Sequence, residues 1–463
     1  MSWKDISDMS KNKNFIIGGH SHNHEILSNL PQDIMKKEIN SNNEKLIDKV
    51  FKILKKFKNS PKKIENIFIE LFEKDFEVQL NEISQLENGL LKGLIISVKD
   101  LFDVKGYITR GGTKFLKPDI SLSDAKCISN IRKAGGLLLG HTNMTELAYS
   151  GLGINPHYGT PDNPLYPGAV PGGSTSGGAV SVILDLSDIA IGTDTGGSTR
   201  IPAAFTGITG FKPTQDSISR DGVLTLSSSL DSVGLMAKNV ELCKLGYHAM
   251  RGKINEKQEK LQNKNPKLII PSNFGFEDID NEIKVAFDLA KKKITKSGFE
   301  VIEMNVPFLD LYKKVPIWQF ASVECATEYF YLYDQKKHLI DPNVLRRIER
   351  ANEVTAVEYN LLQKIRVDLI EEFNKFLKNN FLLMPTVTIK PPLQEKCKNN
   401  EFYDEANLIS LRNTTLANYM NGCSISIPYF ENKKPIGIML NATTNEDDYL
   451  LRISSEIEKV LEK

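Results

Sequence analysis

The chain has 463 residues and a formal net charge of +1, from 59 Lys and Arg against 58 Asp and Glu. Hydrophobic residues at 40% and charged residues at 25% are ordinary for folded globular proteins, so the composition excludes wholesale disorder and collagen-like repetition. The balanced charge gives no overall field that would attract nucleic acid or an anionic membrane. Five widely spaced cysteines and the lack of a long apolar run at the N-terminus predict a cytoplasmic protein that does not enter a membrane.

The first 66 residues are rich in Lys and Asn, and apolar residues recur at helical spacing from Pro31 to Lys58, which predicts one or two surface helices. His20 and His24 lie in a segment that resembles the His-Ser/Thr-x-x-His neighbourhood of polysaccharide deacetylases, where such histidines bind zinc. The Asp-Asp segment and the barrel that this family requires are missing from the sequence. We therefore expect residues 1–55 to be a non-functional deacetylase-like appendage without a metal, with adventitious metal binding as the alternative.

From Gly93 onward, short apolar runs such as residues 94–98 alternate with helical stretches and glycine-rich turns. This pattern is typical of strands buried between layers of helices. Gly and Pro concentrate between residues 151 and 213 more than linkers require, so we expect loops there to bring the backbone close to a ligand. The second half of the chain is helix-rich and charged until strand-like segments return at residues 381–385 and 424–428. The sequence predicts an α/β fold.

The glycine-rich region contains the run Thr195-Gly196-Gly197-Ser198. Consecutive backbone N–H groups at such a turn can point into one concavity, which would hold an oxyanion if Ser198 attacked a carbonyl carbon. A tight turn with Ser198 as a helix N-cap is an equal alternative. A Walker-type phosphate loop is disfavoured, because the Lys that should precede the final Ser is absent.

A serine nucleophile needs a base. None of the seven histidines lies in a Ser-His-Asp pattern, and the sequence contains no GxSxG nucleophile motif. Lys99 ends an apolar strand, where burial would favour its neutral form and allow it to accept a proton. The alternative is that Lys99 pairs with Asp100 and points to solvent.

These segments together resemble the amidase signature family over roughly residues 60–463. The catalytic lysine and two serines of that family lie in a Val-Lys-Asp strand end, a Gly-Gly-Ser turn and a Gly-Thr-Asp-x-Gly-Gly-Ser run, which match Lys99, Ser174 and Ser198. The resemblance implies a large mixed β-sheet sandwiched by helices, an amidase domain over residues 56–463, and a Ser-Ser-Lys triad that needs no cofactor.

The resemblance also implies the role of each residue. Neutral Lys99 deprotonates Ser174, Ser174 deprotonates Ser198, and Ser198 attacks the amide to form an acyl-enzyme that water resolves. The peptide bond between Gly173 and Ser174 is expected to be cis. The backbone N–H groups expected to hold the oxyanion are those of Thr195, Gly196 and Gly197. Asp194, Arg200 and Thr175 are expected to orient the loop and the triad. For Asp194 and Arg200 the alternative is a purely structural ion pair.

The substrate is expected to be a small carboxamide. The A subunit of the tRNA-linked amidotransferase, a member of the same family, carries an Asp at the position of Arg412, where it suits the amine of glutamine. Arg412 inverts that charge and favours a substrate with a carboxylate bound in bidentate fashion, unless it is a surface arginine. Tyr149 is a second candidate for the substrate pocket, with simple packing as the alternative.

We therefore predict an amidase that acts on a small, non-peptide carboxamide. The alternatives are a glutaminase-type amidotransferase subunit, which would require partner subunits, and a degenerate non-catalytic member of the family. The residues that select the amide are expected on helices and loops between about residues 245 and 420, and the exposed helical region could support a homodimer. We expect neither nucleic acid nor a membrane as a partner.

Overall fold

The computed structural model describes residues 44–59, 66–252 and 265–462. His20 and His24, the predicted deacetylase-like histidines, lie outside the described residues. Within the described ranges, no helix has both the length and the apolar character needed to span a lipid bilayer.

One mixed sheet organises the described part of the chain. Its strands are β1 (Phe68–Leu71), β2 (Ile95–Lys99), β3 (Leu137–Thr142), β4 (Ile189–Asp194), β5 (Thr209–Lys212), β6 (Ser232–Ala237), β7 (Leu268–Pro271), β8 (Val301–Met304), β9 (Phe381–Pro385), β10 (Cys423–Glu431) and β11 (Lys434–Ala442). The strand order across the sheet is β1-β3-β2-β4-β6-β5-β10-β11-β9-β7-β8. The pairs β2 with β3, β2 with β4, β7 with β8, and β7 with β9 are parallel, and the remaining pairs are antiparallel.

Helices alternate with these strands along the chain. They are α1 (Glu44–Asn59), α2 (Phe76–Gln85), α3 (Lys126–Lys133), α4 (Ser176–Ile183), α5 (Arg200–Thr206), α6 (Val240–Arg251), α7 (Asn281–Lys296), α8 (Phe308–Tyr312), α9 (Trp318–Glu328), α10 (Phe330–Lys336), α11 (Pro342–Glu349), α12 (Ala356–Leu377), α13 (Asn400–Arg412), α14 (Thr415–Tyr419) and α15 (Asp447–Leu461). Short 3-10 helices span Glu73–Asp75, Glu146–Ala148, Gln215–Ser217, Lys337–Leu339, Arg350–Glu353 and Lys396–Lys398. The predicted α/β class and large mixed sheet are confirmed.

Every residue of strands β2, β3, β4, β5 and β6 is buried, which explains why their sequences read as apolar runs rather than as alternating patterns. The predicted strand at residues 94–98 is observed one residue later, at Ile95–Lys99. Strands predicted at residues 381–385 and 424–428 correspond to β9 and to part of β10.

Helix α1 crosses the predicted boundary between an appendage (residues 1–55) and an amidase domain (residues 56–463). Its apolar residues, including Ile47 and Ile53, are buried in the main hydrophobic core. Lys49 Nζ also lies 2.5 Å from a carboxylate oxygen of Asp188, which precedes β4. The division into two domains stays a prediction, and α1 packs as part of the main body.

The centre of the sheet brings distant segments of the chain together. Strands β2 and β4 run in parallel, with Val98 opposite Ile191, so both strands end at the same edge of the sheet. Lys99 is the last residue of β2, and the glycine-rich loop beginning at Thr195 directly follows β4. Ligand sites in such sheets commonly lie beyond the carboxyl ends of neighbouring parallel strands.

Candidate active site

Lys99 is fully buried at the end of β2. Its Nζ lies 2.7 Å from Ser174 Oγ and 3.0 Å from Thr193 Oγ1. Burial lowers the pKa of Lys99 to about 7, although the carboxylates of Asp231 and Asp194 act in the opposite direction. A large fraction of this amine is therefore uncharged near neutral pH and able to accept a proton.

The alternative in which Lys99 pairs with Asp100 and points to solvent is wrong. Asp100 is also fully buried, and its carboxylate accepts hydrogen bonds from the backbone N–H groups of Arg110 and Gly112. Burial raises the pKa of Asp100 to about 7, while these bonds oppose the shift. The two neighbouring residues therefore contact different partners.

Ser174 lies in the turn that precedes α4 and is fully buried beside Lys99. The Gly173–Ser174 peptide bond is cis, which confirms the prediction. The backbone N–H of Thr175 donates to the Ser198 carbonyl at 3.4 Å, so the two serine segments are adjacent. No hydrogen bond joins the two serine hydroxyls among the described residues, and this second link of the relay stays a prediction. Hydrogen bonds of this kind are often long in free enzymes and shorten when substrate binds.

The loop of residues 195–198 places Ser198 at the wall of a cavity. Gly197 has φ = +136°, and a Cβ at this position would lie 2.2 Å from Thr414 Oγ1, so only glycine fits there. The carbonyl of Gly196 accepts hydrogen bonds from the hydroxyls of Thr414 and Thr415. These contacts fix the loop from the side of the C-terminal helices.

One of the three predicted oxyanion donors already has an acceptor within the loop. The backbone N–H of Gly197 donates to Asp194 Oδ1 at 2.8 Å, so this donor is already used within the loop. The backbone N–H groups of Thr195 and Gly196 have no acceptor in the described part of the chain, and both residues line the cavity with Ser198. Thr195 and Gly196 therefore remain candidates, whereas Gly197 holds the loop in shape.

Asp194 and Arg200 form a fully buried ion pair that organises this loop. Arg200 donates to both carboxylate oxygens of Asp194, at 2.8 Å and 3.1 Å. The same carboxylate accepts hydrogen bonds from Thr199 and Asn418. Burial alone would raise the pKa of Asp194, but Arg200, with further help from Lys212, holds that pKa well below its usual range.

Thr175, the third residue predicted to orient the site, packs against Gly192 of β4. Its side chain is so close to Gly192 that a Cβ there would lie 2.7 Å from Thr175 Oγ1. Thr175 Oγ1 is buried and has no hydrogen-bond partner among the described residues. Thr175 thus contributes a close contact between α4 and the sheet.

Asp231 is a site residue that the sequence did not reveal. It directly precedes β6, the neighbour of β4, and accepts a hydrogen bond from Thr195 Oγ1 at 2.5 Å. Its other oxygen accepts from the backbone N–H groups of Leu226 and Ser227. Burial raises the pKa of Asp231 to about 6, while these hydrogen bonds oppose the shift. Asp231 therefore fixes the side chain of an oxyanion candidate and adds negative charge near Lys99.

The cavity beside Ser198 has a volume of about 560 Å³, which suits a small organic ligand. Four aromatic side chains contribute to its wall, together with aliphatic ones. They are Tyr149, Phe274, Tyr312 and Trp318. Burial raises the pKa of Tyr149 to about 12, although Arg347 acts in the opposite direction, so its hydroxyl is neutral at ordinary pH.

The structure brings both predicted substrate residues, Tyr149 and Arg412, to the wall of this cavity. Tyr149 is also part of the hydrophobic core, so it packs against other apolar side chains as well as lining the cavity. Arg412 donates to Thr388 Oγ1 at 2.8 Å and to the carbonyl of Glu277, and it lies 3.4 Å from an oxygen of Asp278. Protein groups thus already occupy much of its hydrogen-bonding capacity.

No cluster of three or more His, Cys, Asp and Glu side chains in the described ranges is arranged to hold a metal ion.

The fold and the site define an α/β enzyme with a serine at the wall of a substrate-sized cavity and a buried lysine amine nearby. A family model described as Amidase matches residues 48–451. The 2-amino-5-chloromuconic acid deaminase of Comamonas testosteroni is 30% identical over 81% of this chain and 82% of its own length. The indoleacetamide hydrolase of Pseudomonas syringae pv. syringae is 31% identical over 86% of this chain and 91% of its own length.

A crystal structure of an amidase superposes with a TM-score of 0.79 at 27% sequence identity, covering 93% of this chain and 98% of the other. The chain belongs to the amidase signature family. It is a hydrolase that acts on amide C–N bonds.

Proposed function

We propose that this protein hydrolyses a small, non-peptide carboxamide through a relay of Lys99, Ser174 and Ser198. The observation that carries the proposal is the fully buried lysine amine, 2.7 Å from Ser174 Oγ and beside a loop that presents Ser198 to the cavity. A lysine with a pKa of about 7 can act as a base near neutral pH, which an ordinary lysine cannot.

In the proposed reaction, neutral Lys99 takes the proton of Ser174 while Ser174 takes the proton of Ser198. Ser198 Oγ bonds to the amide carbon, and the negative charge on the carbonyl oxygen is held by the N–H groups of Thr195 and Gly196. When the C–N bond breaks, the proton returns through Ser174 to the departing nitrogen. Water then attacks the acyl-enzyme by the same relay, which releases the carboxylic acid and restores Ser198.

The relatives and the cavity support a small organic substrate. One relative is named for indoleacetamide, an amide with an aromatic body, and the other for an aminated unsaturated acid. The aromatic wall of the cavity suits the first type of compound. The alternative amidotransferase function requires an acidic group that binds the amine of glutamine. Glu277 is the one acidic residue in the described cavity wall, and its carboxylate lies 3.9 Å from Arg412 Nε. Because Glu277 is already paired with Arg412, the cavity favours the amidase function.

A fluorophosphonate probe tests the proposed nucleophile. Wild-type protein should be labelled covalently, with the adduct located at Ser198 by mass spectrometry, and Ser198→Ala should not be labelled. Ser150→Ala is the matched control, because Ser150 lines the same cavity but its hydroxyl is hydrogen-bonded to Asn407. Labelling that persists in Ser198→Ala, or disappears in Ser150→Ala alone, would contradict the assignment of Ser198.

The pH dependence should report the proton on Lys99. Because the relay needs the neutral amine, kcat/KM of wild type should fall as the pH drops below about 7. The negative charge of Asp231 raises the pKa of Lys99, so Asp231→Asn should move this acid limb to lower pH. Asp216→Asn, which changes an exposed carboxylate on the surface, is the control and should leave the limb in place. An acid limb that moves upward in Asp231→Asn would show that Lys99 is not the titrating base.

A further inference from the structure

Three cationic side chains line the cavity beside Ser198, and they differ in how their charge is balanced. Lys313 Nζ lies 3.0 Å from a carboxylate oxygen of Asp310. Arg412 lies within 4.0 Å of both Glu277 and Asp278. Arg347 has no carboxylate within 4.0 Å among the side chains that the structure describes. The wall thus contains one cation whose charge the described protein groups leave unpaired.

Arg347 is held in place by Tyr149 rather than by a carboxylate of the described residues. It lies on α11 and is half-buried, with its guanidinium carbon 4.6 Å from the centroid of the Tyr149 ring. The Tyr149 hydroxyl donates to the backbone carbonyl of Arg347 at 3.5 Å, which links the ring to the helix. A guanidinium over an aromatic ring is attracted to the ring as a cation, and it has five N–H donors, more than one ring contact can use, so it can still bind a planar anion.

The rest of the wall restricts the kind of anion that fits. Tyr149, Phe274, Tyr312 and Trp318 surround the space with apolar ring surface, and the wall carries three cations against one anion, Glu277. A small inorganic anion would leave most of this apolar surface in contact with water. A flat organic molecule with one carboxylate would cover the rings and neutralise Arg347 at the same time.

We propose that Arg347 binds a carboxylate on the substrate, and that the preferred substrates are carboxamides with an aromatic or similarly flat apolar body bearing that carboxylate. This inference rests on the proposed amidase function and names its substrate class. It also transfers to Arg347 the role that the sequence predicted for Arg412. Arg412 instead stabilises the segment of Glu277 and Asp278 at the cavity wall.

The proposal is tested with phenylacetamide and its 3-carboxy and 4-carboxy derivatives. For wild type, kcat/KM should be higher for at least one carboxylated compound than for phenylacetamide. In Arg347→Met this preference should fall roughly 10- to 100-fold, as expected when a charge-assisted hydrogen bond is lost. The loss should lie mainly in KM, because the contact is made equally in the ground state and the transition state. Arg347→Lys should restore part of the preference.

Two further variants make the test specific. Arg346→Met removes the neighbouring arginine, which pairs with Asp404 outside the cavity wall, and should leave the preference intact. Arg412→Met should also retain it. If Arg412→Met loses the preference while Arg347→Met keeps it, or if wild type shows no preference, the inference about Arg347 is overturned.

Protection from labelling separates this inference from the proposed function. The carboxylated compound should slow fluorophosphonate labelling of Ser198 in wild type more than phenylacetamide does, and Arg347→Met should lose that difference. A protein that is labelled but protected equally by all compounds, or by none, overturns the role of Arg347 alone. A protein that is neither labelled nor active overturns the proposed function itself.

Discussion

Replacing Lys99 with methionine should reduce kcat/KM for a carboxamide substrate by roughly 100- to 10,000-fold, the range typical of general-base catalysis. The reason is the loss of the amine that lies 2.7 Å from Ser174 Oγ. Methionine has a similar length and fills the space of a fully buried side chain. The melting temperature should change little, because removal of a buried amine offsets the loss of its hydrogen bonds to Ser174 and Thr193. The measurements are steady-state kinetics, the rate of fluorophosphonate labelling and thermal unfolding.

Lys212 provides the matched control for Lys99. It is also fully buried at a strand end, and burial lowers its pKa to about 8, with a further lowering by Arg200. Its Nζ donates to the Pro213 carbonyl and the Ser232 hydroxyl. Lys212→Met should therefore mainly lower the melting temperature, because two buried acceptors lose their donor. If both variants lose activity equally, or if Lys99→Met keeps activity within about tenfold of wild type, Lys99 is not the base.

Replacing Arg200 with methionine should lower the free energy of unfolding by about 3–5 kcal/mol, as is typical when one partner of a buried ion pair is removed. Asp194 would keep its charge in a fully buried position without its main counter-charge. Arg200 also donates to the Thr414 carbonyl at 2.8 Å and to Asn418 Oδ1 at 2.7 Å, so its loss should loosen the loop that carries Ser198. Urea denaturation and the labelling rate of Ser198 measure the two effects.

A double variant distinguishes charge from packing. In Arg200→Met with Asp194→Asn, the unpaired charge is gone, so part of the lost stability should return relative to Arg200→Met alone. Labelling of Ser198 should remain slow, because the asparagine cannot accept all of the hydrogen bonds that shape the loop. A double variant no more stable than Arg200→Met would mean that the cost comes from packing and hydrogen bonds rather than from the buried charge.

Local sequence patterns were sufficient to predict those parts of the site that lie within a single segment of the chain. The apolar run that ends at Lys99 predicted a strand and left a buried and a solvent-facing amine as alternatives, and the two glycines before Ser198 predicted a tight turn. Both features follow from the chemistry of a few adjacent residues. The cis bond before Ser174 came from the family resemblance rather than from the residues themselves.

Features that depend on tertiary packing could not be predicted in this way. Asp231 reaches Thr195 because β6 pairs with β4, and nothing in the run around Asp231 indicates that pairing. Arg347 meets Tyr149 only because α11 packs over a residue far away in the chain. Arg412 lies at the cavity wall, but its contact with Glu277 arises from a distant loop. The hydrogen bond from Gly197 to Asp194 likewise depends on the exact turn that the loop adopts.

The contacts of Arg200 also bear on biosynthesis. The guanidinium that steadies the serine loop is anchored to Thr414 and Asn418 and contacts the hydroxyl of Ser424, more than 200 residues downstream. Strand β10, which begins at Cys423, is also the partner of β5 in the sheet. A ribosome-bound chain that stops short of these positions would contain Lys99, Ser174 and Ser198 but not the groups that hold Ser198 in place. The reactivity of Ser198 should thus emerge only after these downstream residues have been synthesised.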